Sequence, residues 1–85
     1  MAELRYALPM IMVRFSNEMS KSLELVVEPW ATQLTVPAGS KFAVHYSPPE
    51  DRPDTSYAEV YEDMVRFWCE GDNFEIEVDG NIVPT

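Results

Sequence analysis

The stretch "TSYAEVYEDMVRFWCEG" (55–71) decides the fold, because it fits two periods at once. Tyr57, Val60, Tyr61, Met64 and Trp68 recur at helical spacing, Ser56 with Glu59 matches a capping box, and Gly71 stands where a helix would stop. Read at period two, Val65, Phe67 and Cys69 alternate with Met64, Arg66 and Trp68, and Glu62-Asp63 supplies a turn. Tyr, Val, Phe, Trp and Cys are poor helix formers and fit a pleated, half-buried surface well. The expectation is therefore two strands, Tyr57–Tyr61 and Met64–Cys69. One helix near 56–69 is the alternative, and it would make the chain α+β.

The flanking segments favour strands. After this stretch, Phe74, Ile76 and Val78 alternate with Glu75, Glu77 and Asp79, and Asp79-Gly80-Asn81 is a hairpin signal. Before it lies "SPPEDRPD" (47–54), a proline-rich loop through which no regular element can run. Phe42, Val44 and Tyr46 alternate with Ala43, His45 and Ser47, which predicts another strand. Pro37-Ala38-Gly39 reads as a turn, since proline presets φ and glycine accepts positive φ.

Towards the N-terminus, Leu23, Leu25 and Val27 point one way and Glu24, Val26 and Glu28 the other. Glu28-Pro29-Trp30 interrupts that strand. The expectation is a sandwich corner, with a new strand from Gln33 to Val36 starting in a different direction. Polar Ser16–Ser22 reads as a hairpin connection, and Ile11, Val13 and Phe15 as part of a strand. The apolar run from Leu4 to Phe15 is broken by Pro9, which predicts two short strands or an interrupted edge strand. Together these readings predict one domain over residues 1–85. It is all-β, a small sandwich or open barrel of about six or seven short antiparallel strands.

Charge narrows the function. The chain has 85 residues and a net charge of −9. Residues 1–45 balance four acids with four bases, while residues 46–85 hold eleven acids against Arg52 and Arg66. A phosphate backbone is repelled by such a half, so direct nucleic-acid binding is disfavoured and a protein with a basic surface is the expected partner. A homodimer is also compatible, because sheet edges invite pairing.

Chemistry fails mostly on inventory. One histidine, His45, and one cysteine, Cys69, make blue-copper ligation and a multi-cysteine zinc site unavailable. Glu70–Asn73 and Asp79–Asn81 are only fragments of calcium loops, and turn chemistry explains both. No phosphate-binding glycine loop or nucleophile elbow is present. No cofactor is expected. A Cys69–His45 pair is formally available to a small enzyme, but alternation puts the two on faces with opposite surroundings.

What remains is recognition. The reading is a non-enzymatic interaction or accessory module, with a nucleic-acid-mimicking inhibitor of a basic protein as the alternative. Candidate surface residues are Trp30, Tyr57, Tyr61, Glu75 and Glu77, with Trp68 as a further aromatic anchor. The first fifteen residues lack the uninterrupted apolar core of a signal peptide, no stretch is long enough to cross a bilayer, and a lone cysteine fits a reducing compartment. The expected location is cytoplasmic and away from membranes.

Overall fold

The computed structural model describes residues 10–85. The segment from Leu4 to Pro9, with its expected strand break, lies outside the described residues. Eight strands follow: β1 (Ile11–Ser16), β2 (Leu23–Glu28), β3 (Thr32–Val36), β4 (Lys41–Ser47), β5 (Tyr57–Val60), β6 (Met64–Trp68), β7 (Asp72–Val78) and β8 (Asn81–Val83). They form two four-stranded sheets, ordered β1-β4-β7-β8 and β3-β2-β6-β5. There is no helix among the described residues, so none long and apolar enough to cross a membrane.

The ambiguous stretch is a β-hairpin. β5 and β6 pair antiparallel with Tyr57 opposite Trp68 and Val60 opposite Val65. The Tyr61 N–H donates to the Met64 carbonyl at 2.8 Å and closes the Glu62-Asp63 turn. Strand wins because β6 uses both of its faces. Val65, Phe67 and Cys69 enter the core, and Arg66 and Trp68 are held on the outer face. A helix would have kept Tyr57, Val60 and Tyr61 on the buried stripe, whereas all three are exposed.

The core lies between the sheets. Leu25, Val27 and Phe67 from one sheet meet Val44, Tyr46 and Ile76 from the other. The Tyr46 and Phe67 rings, 5.7 Å apart, join the two layers. The β7–β8 hairpin is the two-residue turn that Asp79-Gly80 predicts, with positive φ at both (49° and 86°).

Three expectations are corrected. Glu28-Pro29-Trp30 does not turn a corner. β3 folds straight back on β2 in the same sheet, with Val27 opposite Thr32, so the tripeptide belongs to a hairpin loop closed with Ala31 at positive φ. Ser16–Ser22 is not a hairpin connection either, because it carries the chain from one sheet to the other. The reason is Asn17, which is 1% exposed. Its amide nitrogen donates to the carbonyls of Lys21 and Pro37 at 3.1 Å, and its backbone pairs with Ser40 and Gly39. One side chain thereby staples this crossing to the Pro37-Ala38-Gly39 crossing beside it. Finally, not every pair is antiparallel. β2 and β6 run parallel, with Leu25 opposite Val65 and Val27 opposite Phe67. Both are central strands of their sheet, each with a neighbour on either side.

Candidate functional site: the loop end of the sandwich

Three connections meet at one end of the molecule. β2 ends opposite Trp68 at the end of β6, and β4 ends opposite Asp72 at the start of β7. The Pro29–Ala31 loop, the proline-rich loop and the Cys69–Gly71 turn are therefore neighbours. They enclose an open cleft of about 810 Å³. Its apolar walls are Pro29, Trp30, Pro48, Pro49 and Trp68, and its charged walls are Glu50, Asp51, Glu70 and Asp72 against the single base Arg52.

Trp30 stacks on Phe74 with ring centroids 4.5 Å apart, yet the residue stays 42% exposed. Packing fixes the indole while leaving it open to the cleft. Such an orientation suits contact with a cation or an apolar side chain, because little entropy is lost when a fixed ring binds. Arg52 is already engaged. Its guanidinium donates to the Glu70 carbonyl at 2.9 Å and lies 3.3 Å from the Asp51 carboxylate.

A polar chain anchors the loop. The Tyr46 hydroxyl donates to Asp54 Oδ2 at 2.5 Å, and Asp54 Oδ1 accepts from the backbone and hydroxyl of Ser56. The Ser56 oxygen in turn accepts the Glu70 N–H at 2.8 Å. Burial, reinforced by Asp54, pushes the Tyr46 phenol up to about 12. The Ser56 hydroxyl, then Tyr46, holds the Asp54 carboxyl below its ordinary range. Gly71 permits the close approach beneath the cleft. A β-carbon there would collide with the Ser47 carbonyl oxygen and come within 2.8 Å of the Tyr46 ring.

Cys69 lines the floor but is 4% exposed, and burial raises its thiol pKa. His45 stands on the outer face of the other sheet, where its Nε2 lies 2.9 Å from Glu77 Oε1. Cysteine and histidine thus face different surroundings, as the alternation predicts. Among the described residues no group of three or more His, Cys, Asp or Glu side chains is arranged to hold a metal ion.

The five predicted surface residues fall on different surfaces. Trp30 lies at the cleft. Tyr57 stacks on Trp68, centroids 6.4 Å apart, and the Trp68 indole N–H donates to Glu59 at 2.9 Å. Tyr57 therefore borders the cleft through Trp68. Tyr61 is at the opposite end of the same hairpin, under the Arg66 guanidinium at 5.9 Å. Arg66 itself bridges Glu28 at 3.4 Å and Glu59 at 3.7 Å. Glu75 and Glu77 occupy the outer face of the other sheet, away from all three aromatics. Sequence reasoning did not single out Pro48, Pro49, Glu50 and Asp51, and it weighed Glu70 and Asp72 only as a calcium-loop fragment explained by turn chemistry. The available signal was the proline-rich loop, whose rigid acids follow one another without an intervening strand.

No family model, curated protein or solved structure matches the chain.

Proposed function

We propose that the protein is a small, acidic, non-enzymatic interaction module that holds a basic segment of a partner protein at the loop end of its sandwich. The observation that carries this reading is the cleft where Trp30 and Trp68 stand among four carboxylates and one engaged arginine. A lysine or arginine side chain placed there meets an aromatic surface and negative charge together, an arrangement that favours cations. The eleven acids of residues 46–85 add a long-range field that draws a basic partner in. Buried Cys69, with its raised thiol pKa, gives a nucleophilic enzyme little support. The inhibitor that mimics nucleic acid also gains little. Such mimicry needs acids in line on one face, and here they are spread over the loop end and both outer sheet faces. A cytoplasmic location belongs to the same reading, resting on the single cysteine.

The test is a titration with a peptide alternating glycine and arginine, followed by tryptophan fluorescence. Binding is expected to weaken with salt and to fall about tenfold or more in Trp30→Ala. The pair Asp51→Lys and Asp72→Lys is expected to abolish it. Equal binding by all variants overturns the proposal.

A further inference from the structure

A second surface lies along β5. Val60 is opposite Val65, which is buried in the core, so both side chains point to the inner side of the sheet. Yet Val60 is 76% exposed, because the sandwich does not close over it. Beneath it an apolar cleft of about 430 Å³ opens between the sheets, floored by Phe15, Met19, Leu23, Phe42 and Val65. Among the described residues β5 pairs only with β6, which leaves its other edge without a backbone partner. Tyr-Ala-Glu-Val contains none of the lysine or proline that usually blunts an edge. Of the exposed large hydrophobics, Tyr57, Val60 and Tyr61 all belong to this hairpin.

Charge decides what covers this edge. Glu18 and Glu62 stand at the rim of the cleft, and no lysine or arginine lines it among the described residues. A second copy of this chain fits poorly. A two-fold pairing centred on Glu59 sets that carboxylate directly against its own copy, one centred on Ala58 leaves the two carboxylates diagonal neighbours, and each copy carries −9. A partner strand with lysines or arginines on one side avoids both repulsions.

We infer that β5 accepts an extended partner segment in which apolar and basic residues alternate. The segment adds to the outer backbone edge of β5. Its apolar side chains enter the cleft beside Val60, and its basic side chains, on the opposite side of the strand, lie across from Glu59 on the outer face. This is strand addition, in which backbone bonds supply affinity and alternate side chains supply selectivity. The surface is separate from the Trp30 cleft, and neither reading depends on the other.

The test titrates the isotope-labelled full chain with a synthetic peptide of about eight residues alternating valine and lysine. Two control peptides alternate glycine with lysine and valine with glutamate. The expected result is that amides of residues 57–61 and of Phe15, Met19 and Met64 shift with the valine–lysine peptide and with neither control. Val60→Lys, at an exposed position that leaves the fold intact, is expected to weaken binding about tenfold. Trp30→Ala is expected to leave it unchanged. The inference is overturned if no shift occurs, if the glycine–lysine peptide binds as well, or if the shifts centre on Trp30. It is equally overturned if the free protein dimerises through β5, or if residues 1–9 give cross-strand signals to β5.

Discussion

At the scale of single residues, three residues hold positions that no neighbour can take over. Asn17 supplies donors to carbonyls at the junction of both sheet crossings. Asn17→Ala leaves those buried groups unpaired and is expected to cost about 2–3 kcal/mol in urea unfolding. Gly71 is needed for lack of a side chain. Gly71→Ala forces apart the β4 and β7 ends around Ser47 and Tyr46, an overpacking expected to cost about 1–3 kcal/mol by the same measurement. Trp30 behaves differently. Full-burial tryptophan truncations cost about 3–5 kcal/mol. Trp30 stacks on Phe74 but is 42% exposed, so Trp30→Ala is expected to cost only about 1–2 kcal/mol. That gap separates a core cap from a recognition surface.

At the scale of elements, the β5–β6 hairpin shows what the sequence could and could not reveal. Period-two alternation in Met64–Cys69, with the Glu62-Asp63 turn before it, marked both strands to within one residue, because β6 is half-buried and its two faces differ in chemistry. The alternating Phe74–Val78 and the Asp79-Gly80 turn were legible for the same reason. Pro29 was ambiguous. A proline that stops a strand looks alike in sequence whether the chain turns a corner or folds back, and only the Val27–Thr32 pairing distinguishes them. The parallel partnership of β2 and β6 was hidden, since sequence periodicity fixes faces and not neighbours. The loop-end cleft was half legible. Trp30 and Trp68 could be named from the sequence, but their meeting with Glu50, Asp51, Glu70 and Asp72 depends on that parallel pair bringing distant turns together. Cys69, at the end of β6, offers a check on this arrangement. With its thiol buried and its pKa raised, it is expected to resist alkylation in native protein and to react fully once unfolded.

At the scale of the whole molecule, stability should depend on pH at both extremes. Hydrogen bonds hold the carboxyls of Glu24 (from Thr35, then Gln33), Asp54 (from Ser56, then Tyr46) and Asp79 (from Ser40, then the Lys41 backbone) below their ordinary values of 4.5, 3.8 and 3.8. A lowered carboxyl stabilises the fold above its unfolded pKa and loses that contribution as pH falls through its folded value. The melting temperature is therefore expected to drop as the solution is acidified below about pH 4. Tyr46 has the opposite sign. Its contribution is complete below its ordinary value of 10.0 and is lost as pH rises through about 12. Tyr46→Phe is expected to remove that alkaline loss, seen in melting curves between those two values. The net charge of −9 is concentrated after residue 45, and under the proposed function it draws a basic partner in. In the proposed function this charge acts through the loop-end cleft. The most direct test is an amide shift map of the full chain titrated with the glycine–arginine peptide. Shifts are expected to concentrate at residues 29–31, 48–52 and 68–73 and to be suppressed in Trp30→Ala. Shifts spread evenly over the acidic surface, or unchanged by Trp30→Ala, would contradict the proposed function.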